Sequence, residues 1–348
     1  MDRYGLLARG TSEVITEDEA RKMVAGQYTG YIGFEPSGMP HIALGLMWPW
    51  KISEVVEAGC KMTVYLADWH AFVNDKLGRD MERIRASGRI FERVMRTMGV
   101  PDSVRFLWAS EVLDDPEYWH MLLNVAKNSS LKRLVRALPI MGRSESDANL
   151  DFSKYIYPLM QVTDIFFLGF DLALGGMDQR HAHMLARDIA DKMGKKKVVA
   201  VHTPLISSLK GKGRMDPVSD PNTVKMSKSD TSSGIFMFDS PEEVRRKISS
   251  SYCPQGEVAE NPVVDIVKHV ILPRFPKGIT INRPENKGGP IVVENEDAFI
   301  QMFISGNIHP ADLKSAVSDY IVKLLEPMHG LREELRKDLE TVSGKVNG

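Results

Sequence analysis

A chain of 348 residues, 43% hydrophobic and 26% charged, has room for two domains and the composition of an ordinary globular protein. Its formal net charge of −1 excludes a generic basic nucleic-acid binder, so a polyanion would need a local basic face. Cys60 and Cys253 stand far apart, excluding a disulfide framework or zinc spacing; no apolar run approaches membrane-span length, MDRYGLLARG lacks a signal-peptide profile, and the cytoplasm is the expected compartment.

Thr16-Glu17-Asp18-Glu19 reads as a capping box, with Thr16 as N-cap, opening a short helix. Next comes YIGFEPSGMPHIALG, Tyr31 to Gly45. Tyr31 to Phe34 is a short apolar strand, Glu35 to Gly38 a tight turn, and a helix is expected from near Pro40, with His41 in its first turn. Unpaired amides at a helix N-terminus favour an anion, so a nucleotide phosphate is expected here.

A second strand is expected over Lys61 to Ala67, a helix over Asp80 to Met98, and a third strand over Val104 to Ala109. Strands alternating with helices predict a parallel, doubly wound α/β sheet. The second strand runs into Asp68-Trp69-His70, where His70 caps or fills a pocket. Residues 116 to 143 read as helical and carry Lys127, Lys132, Arg133, Arg136 and Arg143.

Tyr157 to Leu168 is an apolar helix nearly all round, the pattern of a buried element. Yet Tyr157, Gln161 and Asp164 are spaced i, i+4, i+7 and share one face. Buried polar groups need partners. The stripe is therefore either an internal hydrogen-bond network or a pocket for a small molecule bearing an amine and a hydroxyl. A strand over Phe170 to Leu174 ends at Gly175-Gly176, and a helix runs from Met177 to Met193. Gly175, Asp178 and Gln179 form either a plain strand-to-helix turn or a ligand edge at the carboxyl end of a parallel strand. His181 and His183 are two residues apart, which turns them to different sides of a helix, and no metal is expected.

Residues 207–233 read as a long loop containing Lys225-Met226-Ser227-Lys228-Ser229. Two lysines and two hydroxyls there suit either a polyphosphate or a solvated charged loop. Ser240-Pro241-Glu242-Glu243 is a second capping box, after which the pattern is mostly helical, with one hairpin across Ile279 to Val293. The domain boundary is expected near Phe238, separating 1–238 from 239–348.

Together these pieces resemble a known family. His41-Ile42-Ala43-Leu44 is similar to the HIGH signature of class I aminoacyl-tRNA synthetases, with Ala43 and Leu44 replacing its glycine and second histidine. Lys225–Ser229 matches the KMSKS signature unchanged. Tyr31, Tyr157, Gln161, Asp164 and Gln179 match the amino-acid pocket of archaeal and eukaryotic tyrosyl-tRNA synthetases. The flanks YIGFEPSG, LADWHA, IYPLMQVTDI, GGMDQR and HPADLK extend the likeness over nearly the whole chain. Tyr65 departs from it, standing where a smaller leucine often lines the pocket.

The resemblance implies a Rossmann-like catalytic domain with a helical insertion over about 112–150, followed by a mostly helical anticodon-binding domain. It implies activation of L-tyrosine with ATP to tyrosyl-adenylate, with magnesium on the nucleotide, then transfer to tRNA(Tyr) by a homodimer. Tyr31 and Asp164 would bind the phenol, and Tyr157, Gln161 and Gln179 the amine, with Gly33 and His70 beside them. Ser37, Gly38, His41, Gly175, Asp178, Met226, Ser227 and Lys228 would meet ATP, and Lys225 and Lys228 the departing pyrophosphate. Arg136, Arg180, His309 and Asp312 match positions that contact tRNA, although the two arginines are also ordinary surface charges and Asp312 also suits a helix's first turn. Two rivals are a tryptophanyl-tRNA synthetase and a catalytically silent, synthetase-like RNA-binding protein.

Overall fold

The computed structural model describes residues 1–143, 151–211 and 233–344. Six strands form one sheet: β1 (Glu13–Ile15), β2 (Tyr28–Phe34), β3 (Cys60–Leu66), β4 (Arg105–Trp108), β5 (Leu172–Gly176) and β6 (Val199–Thr203). Their order is β1-β6-β5-β2-β3-β4, all parallel except the antiparallel edge strand β1. The chain winds outward from β2 through β3 to β4, then crosses back to β5 and β6. The reversal leaves a crevice between β2 and β5, where open α/β sheets bind ligands.

Register sets what faces that crevice. Tyr31 pairs with Thr63 and Ala173, and Gly33 pairs with Tyr65. Paired residues share a face, so Tyr31, Gly33, Thr63 and Tyr65 look the same way. Helices Pro116–Asn128, Leu131–Ala137, Ser153–Phe167 and Arg180–Ala190 cover that side, packing against the sheet through Tyr31, Tyr65, Leu107 and Ala173. The opposite face carries Ile32, Val64, Leu174 and Val201, whose apolar cluster continues into the C-terminal helices through Val263, Phe299 and Ile321. That region is mostly helical and includes the expected hairpin, Ile279–Ile281 against Ile291–Val293.

Both capping boxes form: Thr16 and Glu19 exchange hydrogen bonds of 3.3 Å, and Ser240 and Glu243 bonds of 2.8 and 3.2 Å. Three expectations need correction. The first strand extends over Tyr28–Phe34, so Tyr31 lies in its middle rather than at its start. The expected helix does not begin at Pro40: His41 pairs with Phe236 in a β-bridge, the Ile42 amide donates to the Ile235 carbonyl at 3.0 Å, and the helix begins beyond it, as a π turn over Ala43–Met47. Gly175 and Gly176 belong to β5 rather than to the turn after it, paired with His202 and Thr203.

Candidate active site

The crevice opens into a cavity of about 580 Å³ at the carboxyl ends of β2, β3 and β5. That is the size of a small-molecule site. The helical stripe faces it as a unit: Tyr157, Gln161 and Asp164 all line the cavity, with Tyr31, Gly33 and Tyr65 from the sheet.

Asp164 is 1% exposed, and its carboxylate sits at the centre of a cage. Oδ1 accepts from the Tyr118 hydroxyl at 2.8 Å and the Tyr65 hydroxyl at 3.0 Å, and Oδ2 lies 3.1 Å from His70 Nε2. Burial, then the Asp164 charge, raises the pKa of both phenols well above the ordinary tyrosine value, so they remain donors. Tyr31 differs: its hydroxyl is buried without a hydrogen-bond partner, while its ring stacks on Phe170 at 5.0 Å. A buried unpaired hydroxyl beside a carboxylate costs free energy unless a ligand completes the set.

The other end of the stripe is an amide relay. Gln161 Nε2 donates to Gln179 Oε1 at 3.1 Å, and Gln179 Nε2 donates to the Ile140 carbonyl at 3.1 Å. Glycine makes that placement possible, because a Cβ at Gly175 would meet Gln179 Cβ at 3.0 Å and one at Gly176 would meet Asp178 Oδ1 at 2.5 Å. Tyr157 packs edge-on against His70 at 5.1 Å, and burial, then the Glu35 charge, raises its pKa. The stripe is thus an internal hydrogen-bond network, and the same residues line the cavity.

Ser37, His41, Ala43 and Asp178 also line the cavity. Leu44 does not; it is 1% exposed, in the core. Gly38 is not among the lining residues, since its amide donates to Ser87 Oγ at 3.2 Å and its carbonyl accepts from the same hydroxyl at 2.7 Å. Lys225, Met226, Ser227 and Lys228 lie outside the described residues.

Arg180 Nε donates to Glu13 Oε1 at 2.8 Å, and that oxygen also lies 2.8 Å from His202 Nδ1. His202 Nε2 in turn meets His183 Nδ1 at 2.9 Å. His183 therefore pairs with His202 and not with His181, which faces outward as its spacing implies. Arg136 is exposed on Leu131–Ala137. In the C-terminal region His309 is the N-cap of Pro310–Leu325, its Nδ1 accepting from the Ala311 amide at 3.1 Å, so the cap is His309 rather than Asp312. Asp312 Oδ2 is buried without a partner.

Sequence reasoning missed Tyr118, Ser87, His202 and the Ile140 carbonyl. Each meets its partner through the fold, and none belongs to a local motif that marks it.

The chain was compared with known proteins. A family model described as "tRNA synthetases class I (W and Y)" matches residues 25–326. The tyrosine–tRNA ligase of Picrophilus torridus is 55% identical over 338 residues, 97% of this chain and 100% of that one. The crystal structure of tyrosyl-tRNA synthetase from Aeropyrum pernix superposes with a TM-score of 0.87 at 43% identity, covering 98% of each chain. The Pyrococcus horikoshii tyrosyl-tRNA synthetase, solved with L-tyrosine, gives a TM-score of 0.89 at 38% identity, covering 99% of this chain and 100% of that one.

Proposed function

This chain belongs to the class I tRNA synthetases, and within them to the tyrosine–tRNA ligases, and from that premise we propose how its own residues carry the reaction. The enzyme activates L-tyrosine with ATP and passes the tyrosyl group to tRNA(Tyr). The observation that carries the reading is the unpaired Tyr31 hydroxyl beside the caged Asp164 carboxylate in one cavity. The substrate phenol donates to Asp164 and accepts from Tyr31. Its ammonium lies against Gln161, Gln179 and Tyr157, with Gly33 leaving room for its ring and His70 closing the side.

No side-chain nucleophile is needed. The tyrosine carboxylate attacks the α-phosphorus of ATP, a P–O bond forms, the bond to the β-phosphate oxygen breaks, and pyrophosphate leaves. A terminal ribose hydroxyl of the tRNA then takes the acyl group and AMP leaves. Acceleration comes from positioning and from charge placed on the transferring phosphate. His41, Ser37 and Gly175 border the nucleotide, and Asp178 accepts from its ribose hydroxyls. We include Lys225 and Lys228 as the charges on pyrophosphate because their motif matches, with Met226 and Ser227 alongside. Gly38 acts through the Ser87 pair, which sets the turn ahead of His41. Magnesium enters as part of the nucleotide substrate, a hard cation suited to phosphate oxygens.

We assign residues 1–238 to catalysis, with 112–150 as the insertion, and 239–348 to the anticodon. The unpaired Asp312 oxygen supports contact with a guanine edge. Arg136 and Arg180 face the acceptor end, Arg180 exchanging Glu13 for RNA. A homodimer is supported by large apolar side chains left in water on the insertion side, Trp119 at 47%, Leu123 at 65% and Leu131 at 67% exposed. Both cysteines are unpaired and, among the described residues, no helix is long and apolar enough to cross a membrane; a cytoplasmic location is consistent with both.

The test is ATP–pyrophosphate exchange dependent on added amino acid. Exchange with tyrosine, and little with tryptophan or phenylalanine, is the expected result. Exchange with tryptophan instead, or with none, returns the choice to the tryptophanyl or the silent rival.

A further inference from the structure

The phenol end of the cavity contains more tyrosine than its chemistry requires. Tyr31 is placed to donate to the substrate hydroxyl, and Asp164 to accept from it, yet Tyr65 also reaches Asp164. Three observations define Tyr65. It is 1% exposed and lines the cavity. Its hydroxyl donates to Asp164 Oδ1 at 3.0 Å. Its ring meets His70 edge-to-face at 6.1 Å and 85°, and its register partner on β2 is Gly33, which has no side chain to share the space.

We propose that Tyr65 determines amino-acid specificity in two separable ways, its hydroxyl holding Asp164 in the rotamer that meets a phenol and its ring excluding substituents ortho to that phenol. The proposal rests on the tyrosine-activating reading above. The positioning part follows from the cage. With Tyr118 and Tyr65 both on Oδ1, the carboxylate cannot rotate without breaking two hydrogen bonds, so Oδ2 stays turned toward the cavity side where His70 lies. The steric part follows from the register. Gly33 and Tyr65 lie side by side at the carboxyl ends of their strands, on the same face as Tyr31. The empty volume over Gly33 is open to the cavity, and the Tyr65 ring is the wall beside it. Leucine at position 65 would lack both the hydroxyl and the outer half of that wall.

The two parts predict different variants. Tyr65→Phe keeps the wall and loses the hydroxyl. Losing a hydrogen bond to a charged group corresponds to about tenfold or more, so KM for tyrosine rises and the tyrosine-over-phenylalanine ratio of kcat/KM falls by about that factor. KM for ATP stays unchanged, and 3-iodo-L-tyrosine remains excluded. Tyr65→Leu shows the same loss and in addition admits 3-iodo-L-tyrosine, raising its kcat/KM relative to tyrosine by about tenfold or more.

Exchange kinetics with the three amino acids, on the full chain, read all of this. An unchanged tyrosine-over-phenylalanine ratio in Tyr65→Phe overturns the positioning part. Continued exclusion of 3-iodo-L-tyrosine by Tyr65→Leu overturns the steric part. A fall in kcat with every substrate and in ATP affinity alike marks Tyr65 as merely structural. Tyr65→Phe is nearly isosteric and keeps the test readable if the leucine variant does not fold. Wild-type chain inactive with tyrosine sinks the activation reading, an outcome distinct from active wild type with unresponsive variants.

Discussion

Replacing Asp164 with alanine tests the cage most directly. The substitution removes the acceptor of the buried Tyr65 phenol at 3.0 Å and the nearer acceptor of Tyr118 at 2.8 Å, which keeps the Met160 carbonyl at 3.3 Å. The one buried donor left unsatisfied, Tyr65, costs about 1–3 kcal/mol, so the fold loses about that much before any relaxation. In the proposed reading the same carboxylate is the substrate's acceptor. Loss of a hydrogen bond to a charged group, about 1.5–3 kcal/mol, lowers the tyrosine-over-phenylalanine ratio of kcat/KM by about 10–150-fold. The proposed ATP side of the cavity, lined by Ser37 and His41, is untouched, so KM for ATP holds. Urea unfolding measures the first effect and ATP–pyrophosphate exchange with each amino acid the second. A stable variant with an unchanged ratio refutes the cage and the phenol assignment together. A destabilised variant with an unchanged ratio refutes only the assignment.

Three further outcomes follow from other parts of the site. Gln161→Ala breaks the relay to Gln179 and Ile140, so it raises KM for tyrosine and phenylalanine alike, about tenfold, leaving their ratio intact; a changed ratio in exchange kinetics contradicts an amine role. Asp312→Ala weakens aminoacylation but leaves adenylate formation at the wild-type rate; equal loss in both assays removes Asp312 from the anticodon contact. Burial lowers the pKa of His183 well below the ordinary histidine value and also lowers that of His202. The unfolded chain then takes up protons below about pH 6.5 that the folded chain refuses, so stability falls as pH drops through that value, by up to about 1.4 kcal/mol per pH unit at His183. His183→Gln flattens this slope in urea melts taken between about pH 6.5 and 5; an unchanged slope shows that the pair is protonated in the fold.

The pocket stripe was legible because it is periodic. Tyr157, Gln161 and Asp164 sit within one helix, and helical spacing alone places them on one face. The alternation of strands and helices likewise gave the parallel sheet and its ligand edge. What periodicity cannot show is a partner from elsewhere in the chain. Tyr118 belongs to a helix whose own pattern is amphipathic, and only the packing of Pro116–Asn128 on Ser153–Phe167 brings its hydroxyl to Asp164. The start of the helix after His41 was misread for the same reason: Ile235, Phe236 and Met237 arrive from the far side of the 207–233 stretch and pair with Pro40, His41 and Ile42. The Gly175-Gly176 pair looked like a strand breaker. In the fold it extends the strand, because absent side chains are what let Asp178 and Gln179 fold back over it.

The helix Pro116–Asn128 has two faces with different audiences. Tyr118 points inward and holds the carboxylate proposed to select the amino acid, while its neighbour Trp119 and the next turn's Leu123 stand in water on the proposed subunit interface. Adjacent residues of one rigid element cannot move independently. In the proposed homodimer, a second copy docked on the outer face would stiffen the inner one, and fidelity would become a property of the pair of subunits rather than of either alone. Dilution that separates the subunits would register first as misactivated phenylalanine, before any loss of turnover.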